Sequence, residues 1–332
     1  MDSTITARVT IIEQRRIAAM AGKYAFGIDL GGTTVKEGLF NEKGEVLEKW
    51  EIPTRTEENG KNILPDIAKS LKDKIKEKKL DPSDILGIGI DVPGPVLDGG
   101  IVNNCVNLGW GVVNVPQELS GMLGGIKVEA VNDANAAALG EQWKGGGRGF
   151  RSMLMVTLGT GVGGGLIING KIVNGSHGAG AEIGHMPVNP HEEETCGCGK
   201  KGCLEQYCSA TGIVRIGRKR LEKTKKSTIL VNNEELSAKT IFDAAKEGDE
   251  VAKEIVEEFG EILGRALANI TAVTDPEAIV IGGGVSKAGD IVTDVVSRYY
   301  KPNAFHACRT CVIKLAELGN DAGMYGAVKM VL

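Results

Sequence analysis

Residues 24–40 read YAFGIDLGGTTVKEGLF, and residues 153–173 read MLMVTLGTGVGGGLIINGKIV. In each, an aliphatic run of strand length ends at a glycine–threonine turn and is followed by a second β-branched run. LGTGV at 158–162 lies over LGGTTV at 30–35, and INGKIV at 168–173 lies over NEKGEVL at 41–47, so one hairpin unit is written twice. The duplication predicts two similar α/β domains facing each other across a cleft.

Outward from these hairpins, the pattern predicts a helix from about Asn59 to Lys78, with Ile67, Leu71 and Ile75 as its apolar stripe and the lysines of 69–79 on its wet face. ILGIGIDVPG at 85–94 reads as a strand, and the strand at 126–131 runs into the helix NDANAAALGEQW, capped by Asn132 or Asp133. Residues 213–270 are mostly helical by pattern, DPEAIVIGGGVS at 275–286 is a strand feeding a third glycine turn, and the C-terminus is a helix. The expected division is a leader over 1–23, a small α/β domain over 24–132 completed by the C-terminal helix 320–332, and a large α/β domain over 133–319. The first 23 residues belong to no obvious element, and the chain before Met20, which shows no packing periodicity, is expected to be dispensable.

The chain has 332 residues, 42% hydrophobic and 25% charged, which is ordinary for a globular protein of about two domains. Its 47 glycines against 10 prolines, without a three-residue period, point to tight turns and close backbone approach. A net charge of -4 supplies no basic field, so a nucleic-acid partner is not expected. No apolar run reaches membrane-spanning length and the start lacks a signal core, so no membrane partner is expected and the cytoplasm is the expected location.

Three of the seven cysteines, Cys196, Cys198 and Cys203, lie within eight residues. Together with His185 they make a Cys3His set, the composition of a closed tetrahedral structural zinc site in a reducing compartment. Glu182 and Glu205 flank this loop, either at the rim of the site or as solvated surface acids. The glycine turns at 31–34, 159–164 and 282–284 each follow an apolar strand and suit phosphate, because backbone N–H groups can converge on an anion without a Cβ in the way. The middle turn matches G-x-G-x-x-G, but LIINGKIV follows it where a dinucleotide-binding fold needs a helix. No P-loop sequence occurs. Asp29, at the end of the first strand, is placed either to hold magnesium through water near ATP phosphates or to cap the turn. Asp133 stands at a strand-to-helix junction, where it is a catalytic base or a helix cap.

GIDLGGTTVK, PGPV, NDANAAALGE, VTLGTGVGGG, GAGAEIGH, CGCGKKGCLE, SATG and VIGGGVS together resemble the ROK family of sugar kinases and sugar-responsive repressors, within the actin/hexokinase-like (ribonuclease H-like) fold. NLGW and LGNDAG make the resemblance strongest to its bacterial ATP-dependent glucokinases. It implies an α/β two-domain fold with a central cleft that closes on sugar, zinc as a structural ion, and magnesium with ATP. It further implies that Asn132 and Asp133 hold the sugar, with Asp133 taking the proton of the 6-hydroxyl. Glu182, His185 and Glu205 would bind ring hydroxyls, with Gly94 and Asn107 from the small domain. Gly31, Gly32, Thr33, Thr34, Gly159, Thr160, Gly161 and Gly283 would line the nucleotide. Glucose and ATP are the implied partners, in a homodimer or higher homo-oligomer. A kinase for another hexose and a non-enzymatic sugar regulator are the alternatives, the second disfavoured because only 23 residues precede Tyr24, too few for a repressor's DNA-binding domain.

Overall fold

The computed structural model describes residues 22–232 and 236–332. The leader expected over 1–23 lies outside these residues except for Gly22 and Lys23. The chain forms two compact units, one running to Val131 and including Ala327–Leu332, the other Asn132–Gly326.

In the first unit, β1 (Tyr24–Leu30), β2 (Thr34–Asn41) and β3 (Val46–Pro53) form the antiparallel meander that the alternating aliphatic runs predict. Helix α1 (Ile63–Lys78) then leads to β4 (Ile85–Val92), which lies parallel to β1. The helix begins four residues later than expected, because Glu58, Asn59 and Gly60 take left-handed φ values of 53°, 59° and 67°. Its stripe is as predicted, with Ile67 and Leu71 buried against Phe26, Ile28 and Ile88. A three-stranded sheet of β5 (Val96–Leu97), β6 (Ile101–Cys105) and β7 (Trp110–Asn114) follows, then α2 (Val115–Met122) and β8 (Val128–Asn132). The main sheet is ordered β3-β2-β1-β4-β8.

The second unit opens with α3 (Asp133–Lys144), followed by β9 (Met153–Leu158), β10 (Val162–Ile168) and β11 (Lys171–Ile172). After a long loop come α4 (Ala210–Lys223), α5 (Ala238–Lys246), α6 (Glu250–Thr274), β12 (Ala278–Gly282), α7 (Asp290–Asn303), β13 (Val312–Leu315) and α8 (Ala322–Lys329), whose end from Ala327 belongs to the first unit. Its sheet is ordered β11-β10-β9-β12-β13, the same sequence of antiparallel meander and added strands as in the first unit. The repeated hairpin is therefore a repeated sheet. Leu154, Val156 and Leu158 face a core shared with Phe259 and Leu263 of α6, while Met153 and Met155 face a smaller core with Ala138 of α3. Burial on both faces is why β9 reads as a continuous apolar run rather than an alternating one. No helix among the described residues is long and apolar enough to cross a membrane.

Among the described residues of the first unit, two carboxyl groups are buried, Glu37 and Asp91. Glu37 of β2 is 1% exposed and accepts from the Ser70 hydroxyl of α1, which in turn accepts from Trp50 Nε1 at 2.9 Å. Burial pushes its carboxyl up from 4.5 to about 7. A raised acid stabilises the fold fully below the unfolded pKa and loses that contribution as pH rises through the folded one. Denaturant midpoints should therefore fall between pH 4.5 and pH 7, by about 3 kcal/mol in unfolding free energy. Glu37→Gln should flatten this slope, and an unchanged slope would show that other groups cause it.

Candidate functional site

Asn132, the last residue of β8, is the cap of α3: its Oδ1 accepts from the backbone amides of Ala134 and Asn135 at 3.0 and 3.2 Å. Asp133 is the first helical residue and is exposed. Its Oδ1 accepts from Ala134 N at 2.8 Å and from Asn132 Nδ2 at 2.9 Å. Of the two candidate caps, the one with extended backbone (ψ 146°) takes the role, since a cap must lie outside the helix. The neighbouring carboxylate is held in a set orientation at the helix N-terminus, where a negative charge is favoured.

The glycine run 159–164, read as one turn, is two structures. Gly159–Gly161 make the turn, while Gly163, Gly164 and Gly165 are inside β10. The strand glycines serve close approach. A Cβ on Gly165 would stand 2.5 Å from Ala134 O, and one on Gly164 would stand 2.3 Å from Ala181 O. Because strand residues alternate faces, the first turn of α3 sits on one side of β10 and the 181–184 segment on the other. A single glycine strand therefore carries both the Asp133 helix and the start of the cysteine loop.

In that loop, Glu182 precedes a helical turn Ile183–His185 and is exposed. His185 Nδ1 lies 3.9 Å from Cys196 Sγ, and Cys198 Sγ lies 3.6 Å from Cys203 Sγ. All four ligand atoms are within 4.8 Å of one another. A tetrahedral zinc with Zn–S near 2.3 Å separates its sulfurs by roughly 3.8 Å, so the set fits that ion. The backbone N–H of Lys200 holds the Cys198 thiol below the usual range, while burial and the adjacent thiols push Cys203 up to about 12. A bound dication would take these groups as thiolates and release their protons. Glu205 Oε1 lies 3.8 Å from the same Cys196 Sγ, so the imidazole and the carboxylate meet across one sulfur. Its other oxygen accepts from Val162 N at 3.0 Å.

The loop has holding points besides its cysteines. Glu192 accepts from Arg215 of α4 at 2.7 Å and from the Tyr207 hydroxyl, and Arg215 keeps it well below the usual carboxylate range. Gln206 accepts from Cys203 N and donates to Glu194 O, each at 3.0 Å.

Gly283 has φ 84°, and a Cβ there would stand 2.5 Å from Leu158 O, so the third glycine turn packs against the end of β9 beside the middle one. Next to it is a cavity of about 330 Å³ lined by Ala210, Ser237, Phe242, Gly284, Val285 and Ala288. No local pattern marks this cavity, since its walls are up to 78 residues apart.

In the first unit, Gly31 N donates to Thr34 O at 3.0 Å, closing the turn that also holds Gly32 and Thr33. Asp29 Oδ2 is paired with Lys36 Nζ at 2.9 Å; burial works against the lysine's charge, but Asp29 together with Asp91 and Glu51 raises its pKa overall. Asp91, fully buried on β4, is the register partner of Asp29. Sequence reasoning passed over it, although the GID of 27–29 recurs at 89–91. Gly94 (φ 103°) follows β4 with Cys105 3.7 Å from its Cβ position, and Asn107 is exposed on the turn Val106–Leu108.

Comparison with known proteins gives one consistent picture. The family model described as ROK family matches residues 25–332. The chain is 40% identical over 312 residues to a glucokinase of Halalkalibacterium halodurans, covering 92% of this chain and 94% of that protein. It is 38% identical to a glucokinase of Thermotoga maritima, covering 92% and 96%. Among solved structures, a ROK family glucokinase from Streptomyces griseus in complex with glucose and AMPPNP superposes with a TM-score of 0.74 at 31% identity, over 92% of this chain and 98% of that one.

Proposed function

Because this chain belongs to the ROK family, we propose that it is an ATP-dependent glucokinase, transferring the γ-phosphate of ATP to the 6-hydroxyl of glucose. The observation that carries this reading is the second unit's hairpin β9–β10. It bears the glycine turn at one end and packs the Asp133 helix and the His185 turn on its two faces.

Phosphoryl transfer asks the protein mainly for alignment and charge stabilisation. Asp133 accepts the 6-hydroxyl proton late in the transfer, with Ala134 N and Asn132 Nδ2 keeping one carboxylate oxygen occupied so that the group does not rotate. Asn132, Glu182, His185 and Glu205 bind sugar hydroxyls, joined by Gly94 and Asn107. His185 turns Nδ1 towards the cysteines, which leaves Nε2 for a hydroxyl, and a metal at Nδ1 fixes the ring. His185, Cys196, Cys198 and Cys203 would hold zinc, which supplies architecture because four protein ligands complete the tetrahedron. Backbone amides of the turns at Gly31–Thr34 and Gly159–Gly161 receive the phosphates, with Gly283 beside them. Asp29, whose carboxylate is already shared with Lys36, would hold the magnesium accompanying ATP through water, and the ion would supply charge stabilisation at the phosphates.

Glucose, mannose, fructose and N-acetylmannosamine, each assayed for ADP release with ATP and for sugar phosphate formation with polyphosphate, test the reading. Glucose with ATP should have the highest kcat/KM. A higher value for another sugar would reassign the substrate, and sugar binding without phosphorylation from either donor would make the protein a regulator.

The cavity beside Gly283 takes the nucleoside end of ATP in this reading, and Gly284 tests it. Gly284 has φ -61° and ψ -37°, open to any residue, and a Cβ there meets nothing within 4 Å. Gly284→Leu should therefore fold normally yet occupy the cavity, raising KM for ATP by about tenfold, the equivalent of about 1.4 kcal/mol, with KM for glucose little changed. An unaltered KM for ATP would place the nucleoside elsewhere.

A further inference from the structure

The SATG segment, Ser209–Gly212, is conspicuous in the sequence, and beyond Ala210's place in the cavity wall it has no part in the reaction as described. In the structure it grips the middle glycine turn. Ala210 N donates to Gly159 O at 2.8 Å, and the Thr211 hydroxyl donates to Thr160 O at 3.0 Å. Ser209 sets the segment in place: its hydroxyl donates to Glu205 O at 2.7 Å, accepts from Gly212 N at 3.0 Å, and lies 2.9 Å from the Thr211 hydroxyl.

A trans peptide is planar, with its C=O and N–H pointing in opposite directions. Fixing the carbonyls of Gly159 and Thr160 against the 210–211 segment therefore turns the next amides, Thr160 N–H and Gly161 N–H, to the opposite side. Two successive amides aimed the same way make an anion-binding nest. The first unit repeats the device. The Thr54 hydroxyl donates to Gly31 O at 2.7 Å, which turns Gly32 N–H away, and Thr54 N donates to Thr33 O at 2.9 Å. In each unit a threonine from outside the turn holds a turn carbonyl, although the two threonines occupy unrelated sequence contexts.

We propose that Thr211 and Thr54 are positioning residues for phosphate binding, each fixing through its hydroxyl the peptide plane whose amide faces the ATP phosphates. The proposal rests on the kinase reading above. Neither threonine touches the nucleotide in this account. Their effect is on where the amides of Gly161 and Gly32 point, so it falls on ATP and spares the sugar.

The test is steady-state kinetics and MgATP calorimetry on the full chain with Thr211→Val, which keeps the shape and removes the hydroxyl, and Thr211→Ser, which keeps the hydroxyl. Thr211→Val should raise KM and Kd for ATP by about tenfold, the effect of one hydrogen bond supporting a charged ligand. KM for glucose and the thermal midpoint should hardly move, because Thr211 is exposed. Thr211→Ser should recover wild-type ATP affinity to within about twofold, and Thr54→Val should shift KM for ATP in the same direction as Thr211→Val. Undiminished ATP affinity in Thr211→Val would overturn the proposal while leaving the kinase reading intact. Loss that Thr211→Ser fails to recover would also overturn it, since the side chain's bulk would then be responsible. Wild-type protein that binds no MgATP would overturn the kinase reading and the proposal together.

Discussion

Asp133→Asn should lower turnover by about 10² to 10⁴ while glucose affinity stays within about tenfold, the usual consequence of deleting a general base. The substitution is nearly isosteric, and an amide oxygen at the same place can still accept from Ala134 N as the carboxylate does at 2.8 Å. Asn132 keeps its own two bonds to the first-turn amides, so the helix cap survives. Folding should lose only the favourable placement of a negative charge at the helix N-terminus, about 0.3 to 1 kcal/mol. What the amide cannot do is take the proton from the 6-hydroxyl. Calorimetry showing normal glucose binding beside near-normal turnover would remove Asp133 from the chemistry.

Cys198→Ser should contain less than one zinc per chain and lose most of its glucose affinity, while KM for ATP and far-UV helicity change little. Cys198 is the exposed member of the cluster, so its replacement disturbs the metal with little effect on packing. Without the ion, His185 loses what fixes its ring, although the backbone of its turn stays joined to the loop through Lys200 Nζ to His185 O and Leu204 N to Met186 O. The rest of the loop should stay folded, because Arg215 still holds Glu192 and Gln206 still joins Cys203 to Glu194. Glu205 should also stay in place through Val162 N, so the sugar affinity lost is chiefly that of His185. The turn at Gly159–Gly161 is gripped by Ala210 and Thr211, outside the loop, which is why ATP should be spared. Metal analysis and calorimetry decide the matter. Stoichiometric loss of zinc with unchanged glucose affinity would separate the metal from the sugar site, and full zinc retention would show the ligand set to be wrong.

The parts of this protein that sequence alone determined are those carried by short-range signals. The repeated strand–turn–strand pattern of 24–40 and 153–173 names the architecture because strand periodicity and glycine turns are written within about 20 residues. The Cys3His cluster is legible for the same reason, since its three thiols lie within eight residues and its histidine is near them. The helix at 133 announces itself by its cap.

Tertiary structure decided what depends on partners far away along the chain. Whether Asn132 or Asp133 caps the helix turned on backbone angles that either residue could adopt. The glycines at 163–165 look like more of the turn before them, and only the packing of Ala134 and Ala181 on either face shows them to be a strand kept bare for close approach. Asp91 becomes the neighbour of Asp29 through the β1–β4 register. Thr54 and Thr211 reach turn carbonyls 23 and 51 residues away, and the cavity beside Gly283 is assembled from α4, α5 and the turn after β12. Such pairings are selected by burial of the two cores as wholes, a non-local and non-directional force. A hydroxyl that will hold the carbonyl of a distant glycine turn looks, in the sequence, like that of any other threonine.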